Sequence, residues 1–189
     1  ELRTLFGAFV SRAGDLAVLN EDDGETISLK LHGRAVRTFS IEGRLADVMA
    51  RNIVPGPTSI SFDVEIGGTG DTASVHLPVP GRHNVANALA AVAATMDRVG
   101  LSGAAAQLST FKGTKRRFEI VGEAGGVTVI DDFGHNPDKI TATLRTLHDF
   151  PGRILILFQP HGFGPLRLLK DEFIDTFAEH LKPDDVLVM

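Results

Sequence analysis

Asn84 and Asn87 lie three residues apart in the run Gly81-Arg82-His83-Asn84-Val85-Ala86-Asn87, just ahead of an alanine-rich stretch. Residues at that spacing share one face of a helix. Two side-chain amides there can hydrogen-bond the edge of a purine or the sugar and phosphates of a nucleotide. The same residues also read as a helix cap at Asn84 and a solvated surface side chain at Asn87. A second cluster, Lys115-Arg116-Arg117-Phe118, sets three cations at the start of a strand. An arginine offers a planar fork of donors to a phosphate oxyanion; ordinary surface charge at a hinge is the plainer alternative.

A third segment, Ile130-Asp131-Asp132-Phe133-Gly134-His135-Asn136-Pro137, places two carboxylates at a strand end and a histidine at a helix start. Ligands of open α/β sheets sit beyond the carboxyl ends of strands. There a carboxylate can hold a ribose hydroxyl or a metal-bound water, and a histidine can meet an anion at a helix N-terminus. A capped turn with Asp131 satisfied locally is the structural alternative. The fourth segment, Phe158-Gln159-Pro160-His161-Gly162-Phe163-Gly164-Pro165-Leu166-Arg167, again follows an apolar strand. Its glycines and prolines either shape a loop around His161 or merely set a turn.

The elements that must position these residues follow from apolar periodicity. The first residues read as helix, and Leu16 to Leu19 is a short apolar run. Ile60, Phe62, Val64 and Ile66 alternate with polar residues, as do Val75, Leu77 and Val79, with Gly67 to Asp71 between them, which predicts a hairpin. A helix is expected from about Val85, stopped at Gly100, with a second short helix ending near Thr110. Beyond it, short strands at Phe118–Val121 and Val127–Ile130 precede a helix capped by Asn136, with Pro137 at its first position and Ile140, Leu144 and Leu147 on its apolar face. Ile154–Phe158 reads as a buried parallel strand. A helix over Leu166–Leu181, with Leu169, Phe173 and Phe177 inward, leads to a strand opening at Val186. This alternation predicts an open α/β sheet. The expected division is 1–110 and 111–189, with the linker near Phe111-Lys112-Gly113-Thr114.

Composition narrows the classes. The 189 residues are 43% hydrophobic, enough for a sizeable core, and carry a net charge of −5 without a basic block. Nucleic-acid binding, which needs clustered lysine and arginine, is therefore not expected. There is no cysteine, which excludes disulfides and thiolate metal sites. No apolar run approaches the roughly 20 residues that span a bilayer. His32, His76, His148 and His180 show no metal-ligand spacing, so no metal site is expected. The first residue is Glu1 rather than Met, and the sequence stops on Val186-Leu187-Val188-Met189; both features predict a piece of a longer protein.

Taken in order, the His-Asn-x-x-Asn helix, Arg-Arg-Phe, Asp-Asp-aromatic-Gly-His-x-Pro and Phe-Gln-Pro-His resemble the Mur ligase family, the ATP-dependent amide-forming enzymes of peptidoglycan precursor synthesis. The likeness runs from about Leu16 to the C-terminus. It is greatest to members that add L-alanine to UDP-N-acetylmuramate, with the tripeptide-recycling members next. The resemblance implies an α/β chain carrying part of a central ATPase domain and the first part of a Rossmann-like C-terminal domain, in a cytoplasmic enzyme. It implies ATP and Mg²⁺ as cofactors, and UDP-N-acetylmuramate with an amino acid or peptide as substrates. Asn84 and Asn87 would contact adenine, Arg117 the ATP phosphates, and Asp132 the ribose or nearby phosphates. His135 would position the incoming amino acid or the sugar carboxylate, with His161 among the substrate-binding residues. The implied reaction passes through an acyl phosphate, which the amine then attacks. The sequence has no Gly-x-x-x-x-Gly-Lys-Ser/Thr, and the family's magnesium ligands would lie upstream, so these residues alone are expected to be inert. Asn136 stands where the alanine-adding members have a second histidine. Gly162 and Pro165 stand where they have arginines, which leaves the amino acid open and keeps folylpolyglutamate-like ligases and non-catalytic nucleotide- or sugar-binding modules in view.

Overall fold

A computed structural model describes residues 2–29 and 35–189; His32 lies outside them. The chain divides into two compact units. The first comprises Glu1–Val54, Ile60–Pro78 and Arg82–Phe111; the second comprises Pro55–Ser59, Val79–Gly81 and Lys112–Met189.

Unit 1 is a five-stranded sheet in sequential order, with helices α1 (Leu2–Ser11), α2 (Gly24–Ile27) and α3 (Arg82–Leu108). The strands are β1 (Ala17–Asn20), β2 (Val36–Ser40), β3 (Val48–Pro55), β4 (Ile60–Ile66) and β5 (Thr72–Leu77). β1, β2 and β3 run parallel, whereas β4 and β5 form the antiparallel hairpin expected from their alternation, with Ile60 opposite Leu77 and Phe62 opposite Val75. β2 and β3 were not legible in the sequence. Polar groups hold them: the Asp47 carboxylate, just before β3, accepts from the Thr38 amide of β2 at 2.7 Å, and Asp22, just after β1, accepts from the Ser40 hydroxyl and the Ile41 amide at the end of β2. Gly67 closes against this junction, because a Cβ there would stand 2.4 Å from the Ala46 carbonyl oxygen.

α3 lies on the sheet through Val85, Ala88, Leu89, Val92 and Ala93, all buried. That i, i+3, i+4, i+7 pattern is the apolar stripe of an amphipathic helix. Arg37 ties the helix down by donating to the Ala93 carbonyl and pairing with Asp97. The break expected at Gly100 is present (φ 73°, ψ 163°), and helix resumes to Leu108. α3 begins three residues earlier than the sequence suggests. Asn84 therefore lies inside the first turn and is not the N-cap.

Unit 2 contains β6 (Glu119–Ala124), β7 (Val127–Asp131), α4 (Pro137–Leu147), β8 (Leu155–Leu157), α5 (Phe163–Leu168), α6 (Lys170–His180) and β9 (Val186–Val188). β6 and β7 form an antiparallel hairpin turned at Gly125 and Gly126, both at positive φ, and β8 pairs parallel with β9. The class is α/β as expected, but these four strands form two separate pairs rather than one open sheet. A cavity of about 630 Å³ lies along β7, β8 and α4. β8 is not the buried strand its composition suggests: Leu155 and Leu157 are 61% and 85% exposed. The core of the unit is instead helical, with Ile140 and Leu144 of α4 against Phe173 and Phe177 of α6. The helix expected over Leu166–Leu181 is broken at Leu169 into α5 and α6.

One buried carboxylate joins three elements of unit 2. Asp185, whose side chain is 2% exposed, accepts from the Ile154 amide at 2.8 Å, the Lys182 amide at 2.8 Å and His148 Nε2 at 3.0 Å. Burial alone would raise its pKa, but these donors outweigh burial and hold it down at about 2. Because the folded value is depressed, the stabilisation is complete above the ordinary carboxylate range and is lost as pH falls through about 2. Asp185→Asn is expected to cost about 1–3 kcal/mol near neutrality. It should also flatten the stability change between about pH 4 and 2, read by denaturant unfolding at a series of pH values.

Candidate functional site

The end of β7 and the turn into α4 carry the chemistry of unit 2. Asn136 caps α4 with its side chain accepting from the Lys139 amide at 2.9 Å, and Pro137 occupies the first turn. Both were legible in the sequence, because asparagine followed by proline satisfies a helix start without needing the proline N–H. This fixes the path of Asp132, Phe133, Gly134 and His135 between strand and helix.

The opposite wall is the segment before β6. Arg116 and Phe118 both have positive φ, 57° and 51°, on either side of Arg117. Non-glycine residues in this region carry strain, and such strain concentrates at functional sites. Three contacts hold the bend. The Arg117 amide donates to the Thr114 carbonyl, the Arg116 amide to Glu119, and the Phe133 amide to the Arg116 carbonyl at 2.9 Å. Asp132 completes the clamp, its Oδ2 accepting from the Phe118 amide at 2.7 Å and its Oδ1 from the Thr143 hydroxyl at 3.3 Å. Phe118 is buried below, 6.2 Å from the Phe150 ring.

The ring of Phe133 is the meeting point. The Arg116 and Arg117 guanidinium carbons lie 5.0 and 5.9 Å from its centroid, within cation–π range. The His135 ring packs at 4.8 Å and the His161 ring at 5.4 Å, edge to face. Three motifs separated in sequence, around residues 117, 133 and 161, are thus brought to one aromatic platform. His135 Nδ1 lies 3.0 Å from the Phe133 carbonyl, and Nε2 lies 3.4 Å from Lys139 Nζ. A carbonyl only accepts, so Nδ1 carries the proton and Nε2 presents its lone pair to the ammonium.

The charge balance around this platform is uneven. Arg116 pairs loosely with Asp131 at 3.5 Å. Arg117 and Lys139 meet no carboxylate within ion-pair distance among the described residues. Phe133 and Lys139 are the members that sequence reasoning did not single out; Arg116 was read only as one of the basic trio. Lys139 had a weak signal, a cation in the first turn of a helix just after His135. Phe133 had none beyond its position at a strand end. The cavity along β7 reaches Asp131, Asp132 and Gly134, but its lining includes none of Arg117, His135, Lys139 and His161. Arg117 and His161 are exposed, and His135 and Lys139 half-buried.

In unit 1, Asn84 is half-buried and Asn87 exposed, both near the start of α3. Among the described residues, no group of three or more histidine, aspartate or glutamate side chains could hold a metal ion, and no helix is long and apolar enough to cross a membrane.

Comparison with known proteins places this geometry in a lineage. Residues 3–95 match the Mur ligase middle domain, and residues 116–189 match the Mur ligase, glutamate ligase domain. UDP-N-acetylmuramate–L-alanine ligases from Cereibacter sphaeroides and Rhizobium johnstonii are 40% and 37% identical over 172 and 190 residues, covering 87% and 94% of this chain. The chain spans only 36% and 40% of those two relatives. Among solved structures, MurF from Acinetobacter baumannii is similar with a TM-score of 0.72 at 26% identity, covering 91% of this chain and 38% of that one. UDP-N-acetylmuramate-alanine ligase MurC from Thermotoga maritima gives 0.69 at 26% identity, covering 98% and 45%. With two successive Mur ligase domains matched along its length, the chain belongs to the Mur ligase family.

Proposed function

We propose that this chain is part of a cytoplasmic, ATP-dependent, ADP-forming ligase that joins an amino acid to the carboxylate of UDP-N-acetylmuramate. The observation that carries the reading is the pair of cations without carboxylate partners, Arg117 and Lys139, at the Phe133 platform. Uncompensated positive charge at a strand end suits anionic substrates, and every substrate of such a reaction is anionic or carries a carboxylate. In this reading Arg117 neutralises the transferring phosphoryl group, a role that is mainly electrostatic positioning. Asn84 and Asn87 hold the adenine. Asp132, already bonded through both oxygens, keeps Arg117 in place and offers its remaining lone pairs to the ribose or nearby phosphates. His135 and His161 face the substrate carrying the amine. ATP brings the phosphoryl group that activates the carboxylate. The described residues hold no group suited to Mg²⁺, so no step is assigned through the metal here.

L-alanine is the first reading for the amine, by likeness to the relatives above. A different amino acid or a recycled peptide is favoured by one feature. Gly162 (φ 84°) precedes α5, where a Cβ would meet Pro165 Cδ at 3.3 Å, so this loop brings no cation at either position.

Three variants test the assignment. Arg117→Ala in the full-length protein is expected to lower turnover by more than about tenfold, since a charge-assisted contact is worth about 1.5–3 kcal/mol. The fold should hold within about 0.5 kcal/mol, as for other exposed substitutions. Asp132→Ala is expected instead to cost about 1–3 kcal/mol of stability, because it leaves the Phe118 amide unsatisfied. Wild-type turnover in Arg117→Ala removes that residue from the site. Asn84→Ala is expected to weaken ATP binding more than UDP-sugar binding, measured by titration calorimetry; equal effects would assign Asn84 to the helix alone.

A further inference from the structure

We infer that Arg82 is a positioning residue for the nucleotide: its guanidinium ties the first turn of α3 to the carboxyl ends of β1 and β2, and so orients Asn84 toward the base. The inference rests on the ligase reading and deepens it. A helix start is where the backbone is least constrained, because its first four amides have no partner within the helix. The buried stripe of α3 begins at Val85, which like Leu89 is fully buried. Asn84 precedes that stripe, so packing on the sheet holds it less than it holds Asn87 and the residues that follow. Arg82, the first residue of the helix, adds a polar tether there. Its Nη2 donates to the Ile41 carbonyl at 3.2 Å and to Glu42 Oε1 at 3.0 Å.

The tether is anchored at its far end. Ile41 directly follows β2, and its amide donates to Asp22 Oδ2 at 2.7 Å, just beyond β1. The other oxygen of Asp22 accepts at 2.6 Å from the hydroxyl of Ser40, which is wholly buried. A single residue, Ile41, is therefore held through its N–H from the sheet and through its C=O from the helix. β1 and β2 run parallel, and ligands of such sheets lie beyond the carboxyl ends of the strands. Arg82 thus registers the turn that carries Asn84 against the rim where a ligand belongs. Stability is not what this contact mainly supplies. Both side chains of the Arg82–Glu42 pair are about half exposed, and exposed ion pairs add little to it. Two directed bonds from one nitrogen supply orientation instead, by restraining rotation of the first turn. A hydrogen bond from an amide to a base edge weakens steeply with angle, so a small rotation lowers nucleotide affinity and leaves the fold intact.

The experiment titrates the full-length protein with ATP and, separately, with UDP-N-acetylmuramate. Arg82→Met keeps the aliphatic stem and removes the donors. It is expected to raise the Kd for ATP more than about threefold, the size of one weakened hydrogen bond, and the Kd for the sugar nucleotide less than about twofold. Arg82→Lys retains a charged donor and should bind ATP more tightly than Arg82→Met. The decisive variant is the double one. Once Asn84→Ala has removed the amide that Arg82 orients, adding Arg82→Met should weaken ATP binding by less than about twofold further. An unchanged ATP affinity in Arg82→Met, a sugar-nucleotide affinity lowered by the same factor, or a loss as large without Asn84 as with it overturns the inference while the ligase reading stands. Wild-type ATP affinity in Asn84→Ala alone would instead overturn the adenine assignment, and the inference with it.

Discussion

The site in unit 2 depends on keeping positive charge together without an internal counter-charge. Arg116, Arg117 and Lys139 are drawn to the region of Phe133, yet among the described residues the one carboxylate that forms an ion pair with any of them, Asp131, meets Arg116 across 3.5 Å between exposed groups, an interaction of little energetic weight. Like charges do not gather unaided. The aromatic face attracts the guanidinium groups, the strained bend at Arg116 and Phe118 aims them, and His135 takes the Lys139 ammonium through a lone pair rather than a negative charge. The charge left over is what an anionic ligand would neutralise.

Rigid supports lie directly behind these groups. Asp132 stitches the bend to the end of β7 and to α4, and Gly134 admits this carboxylate closely, since a Cβ there would stand 3.1 Å from Asp132 Oδ1. Further off, the contacts of Asp185 with His148, Ile154 and Lys182 hold the C-terminal end of α4 to the start of β8 and the approach to β9. Each support is a carboxylate that accepts from a backbone amide distant in sequence, Phe118 for Asp132 and Ile154 for Asp185, and such bonds are strong because the acceptor is charged. Carboxylates are thus used in unit 2 chiefly as architecture, which leaves the cations to the ligand.

Local signals made parts of this legible in advance. The β4–β5 hairpin was written in strict alternation, the break in α3 in Gly100, and the start of α4 in Asn136-Pro137. Elements set by long-range polar contacts were not. β2 is tied to the approach to β3 through Thr38 and Asp47, and to the end of β1 through Ser40 and Asp22, partnerships that no periodicity announces. The exposure of β8 was missed because a continuous apolar run says only that a strand could be buried, not that a neighbour covers it. Around Phe133, the acids, the basic run and both histidines were singled out from residue type and position, and the structure brings Arg117, His135 and His161 to its ring. Phe133 was passed over because an aromatic at a strand end reads as core, and its part emerges only when four side chains converge on its ring. Lys139 was passed over because one lysine in a helix's first turn looks like any other until its partner among the described residues proves to be a histidine nitrogen.

The most direct measurement of the account follows phosphate release by the full-length protein given ATP, magnesium and UDP-N-acetylmuramate, against a panel of amino acids and the recycled tripeptide. Release that depends on the sugar nucleotide and on one free amino acid is the result predicted here. A folded protein that binds nucleotide yet releases no phosphate with any amine would contradict the ligase reading and leave a binding module in its place.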